Sequence, residues 1–449
     1  MHPGRRGTNP ELSSKPHPAV NAAAENGAIV LDSGPEPTAD RRPTLKRLMT
    51  FLTIFGPGQM VMMADTDVGS IITAAQSGAR WGYALLPLQF LLIPVLFMVQ
   101  ELTARLGIIT GKGHGELIRE TFGKFWAYVS VAGLSIATTG ALLTEFSGVA
   151  GVSDLYGVPR LAGVALAASI LLVVVWTGSY ARVERVALAM GGFELAFFGI
   201  AWASHPEAGA LFSGMADIPF HDHGYMTLAA ANIGAVIMPW MVFYQQSAVA
   251  DKGLRPEEYR AARWDTAIGA VVTQLIMAAV LVAAAATIGR LDPNAKLDTV
   301  QQLSGAITPY LGETWGRLVF SIGILGAGMV AAIVASLAGA WGWGEVTGFR
   351  HSLAHHPGEA PWFYGIYTAI IVAGALIVVM VPDLVTLDIA VEVMNALLLP
   401  LVLGFLVALA ARALPAGHRP RGGYFWLVVV VTALTTALGV YGGLISLGG

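Results

Sequence analysis

Asp65-Thr66-Asp67-Val68-Gly69-Ser70 decides how this chain is read. The stretch lies inside a long apolar segment, residues 48–79. Two carboxylates therefore fall near the middle of what otherwise reads as a membrane span. A carboxylate at that depth is costly, so it is turned inward and marks function. Gly69 and the polar residues around it are expected to let the helix come apart locally. Freed backbone carbonyls would then join the carboxylates as oxygen ligands, and the stretch reads as half of a cation site.

The surrounding chain supports a membrane setting. It is 55% hydrophobic and only 12% charged, with a mean hydropathy of +0.64. Soluble domains carry about 25% charged residues. Eleven apolar runs follow one another, at about 48–79, 83–107, 125–153, 160–178, 183–203, 225–250, 264–288, 315–343, 362–382, 384–413 and 424–447. Each is long enough to span a bilayer as a helix, so the fold class is an all-α polytopic membrane protein with eleven transmembrane helices. Residues 1–47 are rich in Pro, Gly, Ala, Ser and charge and read as a disordered cytoplasmic tail. Residues 48–449 form the transmembrane domain. Residues 298–312 are less apolar and read as a short surface helix.

Lys and Arg set the orientation. With the N-terminus inside, only Arg80, Arg160, Arg290, Lys296 and Arg317 of the 26 basic residues fall in outward segments. An odd number of spans then places the C-terminus outside, in a multi-pass protein of the cell membrane. The outward loop 205–224 contains Glu207, Asp217, His221, Asp222 and His223 and no Lys or Arg. The net charge of -3 resides almost wholly in loops and points to no nucleic-acid partner. Cysteine is absent, which excludes disulfides, thiolate metal sites and cysteine nucleophiles. No phosphate loop, nucleophile triad or Cys/His module is present, so an enzyme or ATP-driven pump is disfavoured.

A second interruption lies in the sixth apolar run, at Ala235-Val236-Ile237-Met238-Pro239-Trp240. Pro239 cannot donate a backbone hydrogen bond and disfavours helix at the residue before it. The first and sixth segments are thus both interrupted at mid-membrane. That is the pattern of two inverted five-helix repeats holding a substrate between two broken helices, a LeuT-like 5+5 core with one added helix.

The chain resembles the Nramp family of divalent-metal transporters. Gly56-Pro57-Gly58 opens the first segment as in that family, and Asp67-Val68-Gly69-Ser70 stands at the family's Asp-Pro-Gly-Asn. Thr103-Ala104-Arg105-Leu106-Gly107-Ile108-Ile109-Thr110-Gly111-Lys112 is similar to the end of its second helix and the loop beyond. Met238-Pro239-Trp240 stands at its Met-Pro-His, and 337–345 resembles the end of its eighth helix. The resemblance implies metal ligation by the Asp67 carboxylate, Ser70, the Ala235 carbonyl and the Met238 thioether, with Asp65 as a further carboxylate near the site. Trp240 replaces a histidine linked to proton movement. Thr144-Glu145-Phe146-Ser147-Gly148 resembles Thr-Asp-Leu-Ala-Glu, with Gly148 in place of the second acid. These departures resemble the branch of Nramp-related magnesium transporters and imply transport without strict proton coupling.

The expected substrate is a divalent cation, Mg²⁺ or Mn²⁺, moved by alternating access, with no resident cofactor. Asp65, Asp67 and Ser70 suit Mg²⁺, whereas the Met238 sulfur favours Mn²⁺ or softer ions. Trp240, Glu145, Gln274 and Asn232 are candidate gate or path residues. Glu194, Gln245, Gln246, Glu392 and Asn395 are further polar groups within the spans, and His351, His355 and His356 cluster in an inward loop. The alternatives are a proton-coupled Mn²⁺ or Fe²⁺ symporter, a cation-coupled carrier of a small organic solute, and a non-transporting sensor on the same scaffold. Partners beyond the metal ion and the bilayer, and the oligomeric state, are not legible.

Overall fold

The computed structural model describes residues 56–291, 299–307 and 311–448. The expected tail, 1–47, lies outside them, as do residues 48–55 of the first apolar run. Among the described residues there is no strand. The first run is two helices, α1 (Pro57–Asp65) and α2 (Val68–Trp81). There follow α3 (Leu86–Thr110), the short connecting α4 (His114–Phe122), α5 (Lys124–Leu155) and α6 (Arg160–Trp176). The fifth run is α7 (Tyr180–Gly191) and α8 (Ala196–Ala203), separated by a 3-10 turn over Gly192–Leu195. A short α9 (Ala208–Gly214) lies in the expected outward loop, and the sixth run is split into α10 (His223–Val236) and α11 (Pro239–Asp251). The chain closes with α12 (Tyr259–Leu291), a short α13 (Val300–Ile307) within the expected surface helix, α14 (Glu313–Thr347), α15 (Pro361–Met380), α16 (Leu384–Arg412) and α17 (Gly422–Gly448).

Among the described residues, nine helical segments are long and apolar enough to cross a bilayer by length and composition. The two expected spans that miss that standard are α6, with 17 residues, and the broken α1–α2 pair. Leu166, Trp202, Leu376, Met380 and Leu447 are among the exposed large apolar side chains. Such a coat is a liability in water and is the expected contact surface in lipid.

The broken helices sit at the centre. α2 packs against α10, α12 and α16, and α1 packs against α11, α12 and α14. α5 runs along α14 and α16 and closes the other flank. The first helix comes apart within the expected polar stretch, though not at Gly69 itself. Gly69 is helical, and the break falls at Thr66 and Asp67. The physical reason is capping: Asp67 is extended and its carboxylate accepts from Ser70 N at 2.7 Å, so a new helix starts there. Gly69 instead permits close approach, since a Cβ would lie 2.3 Å from Glu392 Oε1. At the second break Ile237 and Met238 leave the helical region and Pro239 starts α11.

The loop after α3 is locked down over one end of the core. Gly111 ends α3 at φ 66, a conformation glycine adopts without strain. A Cβ on Gly113 would meet Glu345 Oε1 at 1.8 Å. Glu345, on α14, accepts from Gly115 N at 2.8 Å and Ser247 Oγ at 2.5 Å. His114 Nδ1 donates to Gln246 Oε1 at 2.8 Å, and Gln246 Nε2 donates to Lys112 O at 3.0 Å. The loop is thereby tied to both α11 and α14. The His114 ring is fully buried against Phe243, and burial pushes its pKa down to about 4.

Candidate metal site

Asp67 caps α2 with Oδ1 and leaves Oδ2 buried without a partner. A buried unpaired carboxylate oxygen is costly and calls for a cation or a proton. Ser70, one turn further on, donates its hydroxyl to Ala235 O at 3.0 Å. That bond crosses from α2 to α10 and joins the two interrupted spans. Asp67, Ser70 and Ala235 are therefore brought together, with the Ser70 hydroxyl and the Ala235 carbonyl bound to each other. Met238 forms the extended N-cap of α11 at the second break, and its side chain is buried. All of these residues are at most 1% exposed, so the site is sealed within the protein.

Asp65 is turned elsewhere. At the end of α1, its Oδ2 lies 3.4 Å from both Thr273 Oγ1 and Gln274 Nε2 on α12, and its Oδ1 is unpartnered. Gln274, a candidate path residue, thus touches Asp65 and keeps its own oxygen unpartnered. Trp240 is fully buried just beyond Met238, with its indole N–H unpaired. Glu145 on α5 accepts from Val68 N at 3.3 Å and lies beside Asp67. Asn232, another candidate path residue, is hydrogen-bonded through both ends of its amide. It donates to Ser77 Oγ at 2.8 Å and Leu228 O at 2.7 Å and accepts from Gln89 Nε2 at 2.5 Å. These bonds tie α10 to α2 and α3. Among the described residues, His351, His355 and His356 belong to no group of three or more potential metal ligands: His351 bonds to Phe349 O and His355 faces Glu359 at 3.7 Å.

Sequence reasoning passed over Asp388 entirely and left Glu392 as one polar group among several. Both are buried on α16, one helical turn apart and within electrostatic reach of Asp67. Asp388 accepts from Ser147 Oγ at 2.8 and 2.7 Å. Glu392 accepts from Asn395 Nδ2 at 3.0 Å and leaves Oε1 unpartnered. The missed signal was their spacing, which puts two acids on one face of an apolar helix. No Lys or Arg is buried among the described residues, so protein cations do not neutralise this cluster. No three of its carboxylates converge tightly enough to hold an ion alone among the described residues. A bound dication would draw on carbonyl, hydroxyl, thioether or water ligands as well.

Gly148 stands where an acid was expected by resemblance. A Cβ there would lie 2.5 Å from Val68 Cγ2, so Val68 fills that space.

Residues 58–444 match the family model described as natural resistance-associated macrophage protein-like, Nramp. Among curated relatives, the divalent metal cation transporter MntH of Pectobacterium carotovorum subsp. carotovorum (strain PC1) is 30% identical over 299 residues, covering 64% of this chain and 71% of that one. MntH of Yersinia pestis (strain Pestoides F) is 31% identical over 312 residues, covering 67% and 73%. Among solved structures, a mutant of the Eremococcus coleocola manganese transporter superposes with TM-score 0.71 at 19% identity, covering 89% of this chain and 87% of that one. MhsT in complex with L-phenylalanine superposes at 0.60 with 13% identity, covering 86% and 98%. At those identities the superpositions establish the fold, in which two interrupted helices face each other.

Proposed function

The chain belongs to the Nramp family, and we propose that it is a divalent-metal transporter of the cell membrane, carrying Mn²⁺ and Mg²⁺ by alternating access without strict proton coupling. One observation carries this reading: Asp67, with a free buried oxygen at the first break, is joined through Ser70 to the Ala235 carbonyl at the second. The names of the relatives, divalent metal cation transporters and a manganese transporter, support the substrate class. Asp388 and Glu392 add negative potential from α16, which favours a hard dication. Met238 extends the range to Mn²⁺ and softer ions. Ligation involves Asp67, Ala235 and Met238, with Ser70 released from Ala235 when the ion binds. Asp65 and Gln274 line the approach from α12. Gly148 and Trp240 replace the groups that would carry protons, and the membrane potential then supplies the driving force. The N-terminus faces the cytoplasm and the C-terminus the outside, as the distribution of Lys and Arg favours.

A proton-coupled Mn²⁺ or Fe²⁺ symporter is the second reading. Glu145, Asp388 and Glu392 favour it, since buried carboxylates near the ion can seat protons. Reconstitution separates the two. In proteoliposomes with a negative interior, Mn²⁺ uptake should be competed by Mg²⁺ and abolished in Asp67→Ala, with internal pH unchanged. No uptake of any divalent ion would sink the transport reading, and acidification in step with uptake would select the second.

A further inference from the structure

Behind the first break, on the side away from α16, the structure holds a cavity that the metal site does not use. Gly191, at the end of α7, abuts Met63, and Gly269 on α12 abuts Met62, each so tightly that a Cβ would lie 2.5–2.7 Å from the methionine. These contacts clamp α1 between α7 and α12. Beyond them the packing opens, because α7 gives way to the 3-10 turn Gly192–Leu195, which carries Glu194. Gln59, Thr66, Glu194 and Thr273 are the polar residues lining the resulting cavity. It offers about 20 Å³ to the centre of a water-sized sphere. That is room for one water-sized body, for which about 10–15 Å³ suffices.

Glu194 is 1% exposed, and neither of its oxygens makes a hydrogen bond. Its surroundings explain why. Thr273 donates its single hydroxyl hydrogen towards Asp65 Oδ2, at 3.4 Å. The Thr66 and Thr273 hydroxyls also lie 2.5 Å apart, and either can donate to the other. Thr66 also approaches Glu194, so its one hydroxyl hydrogen is shared between Thr273 and the carboxylate, and no other hydroxyl or amide donor reaches Glu194. Gln59 commits its amide nitrogen to Asp265 O at 2.7 Å, which leaves its oxygen for the cavity. A buried carboxylate with so few donors around it calls for a cation or a proton, and the oxygens of Thr66, Thr273 and Gln59 beside it suit a cation.

We propose that this cavity is a second cation site, selective for Na⁺, with Glu194, Thr66, Thr273 and Gln59 as its oxygen ligands. One carboxylate among neutral oxygens suits a monovalent ion. Mg²⁺ keeps several waters when bound, and the cavity has no room for them. Thr66 lies between Asp65 and Asp67 in the unwound turn, so an ion held there fixes the backbone that carries the first half of the metal site. Na⁺ is in that way an ordering ligand for the break itself. The site is independent of the transport reading, because its test requires no transported metal.

The test uses the full chain purified in detergent without divalent metal. Thermal unfolding is followed against NaCl, with KCl and choline chloride at matched ionic strength, and ²²Na⁺ binding is measured directly. The expected result is a saturable rise in unfolding midpoint with Na⁺ that KCl and choline do not reproduce. Glu194→Gln, which keeps shape and removes charge, should weaken ²²Na⁺ binding by about tenfold or more. Thr273→Val gives the second reading from another helix, should Glu194→Gln fail to fold, and should shift the Na⁺ dependence in the same direction. Equal effects of all three salts, or an unchanged Na⁺ response in either folded variant, would overturn the proposal.

Discussion

Asp67 does two jobs with two oxygens, and substitutions can separate them. Oδ1 caps α2 through Ser70 N, while Oδ2 stays free for the ion. Asn caps a helix as well as Asp does, so Asp67→Asn should unfold at an unchanged temperature yet lose transport. Asp67→Ala should lose transport and also about 1 kcal/mol of cap stability. A thermal melt beside a Mn²⁺ flux assay reads both effects, and retained flux in Asp67→Asn would remove the carboxylate from the ligand set. Met238 is tested by selectivity. Met238→Ala should weaken Mn²⁺ or Cd²⁺ transport more than Mg²⁺ transport, because a thioether offers nothing to Mg²⁺; an equal loss across the ions would place the sulfur outside the coordination sphere. At this scale Asp67 was legible because an acid in an apolar run has few structural explanations. The Ser70 hydroxyl was less so: its bond to Ala235 O depends on the meeting of two helices far apart in sequence.

The helices show which devices sequence discloses. Pro239 announced the break in the sixth run because its missing N–H and ring act locally. The polar stretch around Gly69 marks the break in the first run, but local backbone freedom does not place it: capping by Asp67 sets it at Thr66 and Asp67, just before Gly69. The placement of Gly69 answers to Glu392 on α16, a long-range contact that no local pattern encodes. The same kind of contact governs α5. Gly148 lacks an acid, and Val68 occupies the room that an acid would need. Gly148→Glu alone should therefore lower the unfolding midpoint, by overpacking worth about 1–3 kcal/mol, and should not install proton movement. Pairing it with Val68→Ala should recover most of that stability. An unperturbed single variant would show that α5 has slack at this position. The short helix α4 carries a further prediction. Buried His114 has its pKa pushed down to about 4, against 6.5 when unfolded. The unfolded chain therefore takes up a proton first as pH falls, and stability is lost from about pH 6.5 down towards 4. The full difference is of order 3 kcal/mol. His114→Gln should flatten the acid side of the stability curve relative to the native chain, and parallel curves would show that the latch does not depend on a neutral imidazole.

At the scale of the whole chain, the proposed orientation makes the charge distribution one that favours inward movement of a cation. The acids Asp67, Glu145, Asp388 and Glu392 are buried at the junction of the broken helices, with no buried Lys or Arg among the described residues. The Lys and Arg residues instead crowd the loops assigned to the cytoplasm. A dication crossing into a negative interior gains about 4.6 kcal/mol per 100 mV, from about 2.3 per charge. That is enough to concentrate an ion without a second gradient, since two charges give tenfold accumulation for about every 30 mV. Uptake into proteoliposomes should therefore rise steeply as a K⁺ diffusion potential is made more negative inside, and should stop when the potential is collapsed. An imposed pH gradient alone, acid outside, should drive none. A pH gradient that drives concentrative Mn²⁺ uptake at zero potential would mean that Glu145, Asp388 or Glu392 carries a proton with the ion. The loss of the acid at Gly148 and of the histidine at Trp240 would then have been compensated from α5 or α16 rather than having uncoupled the cycle.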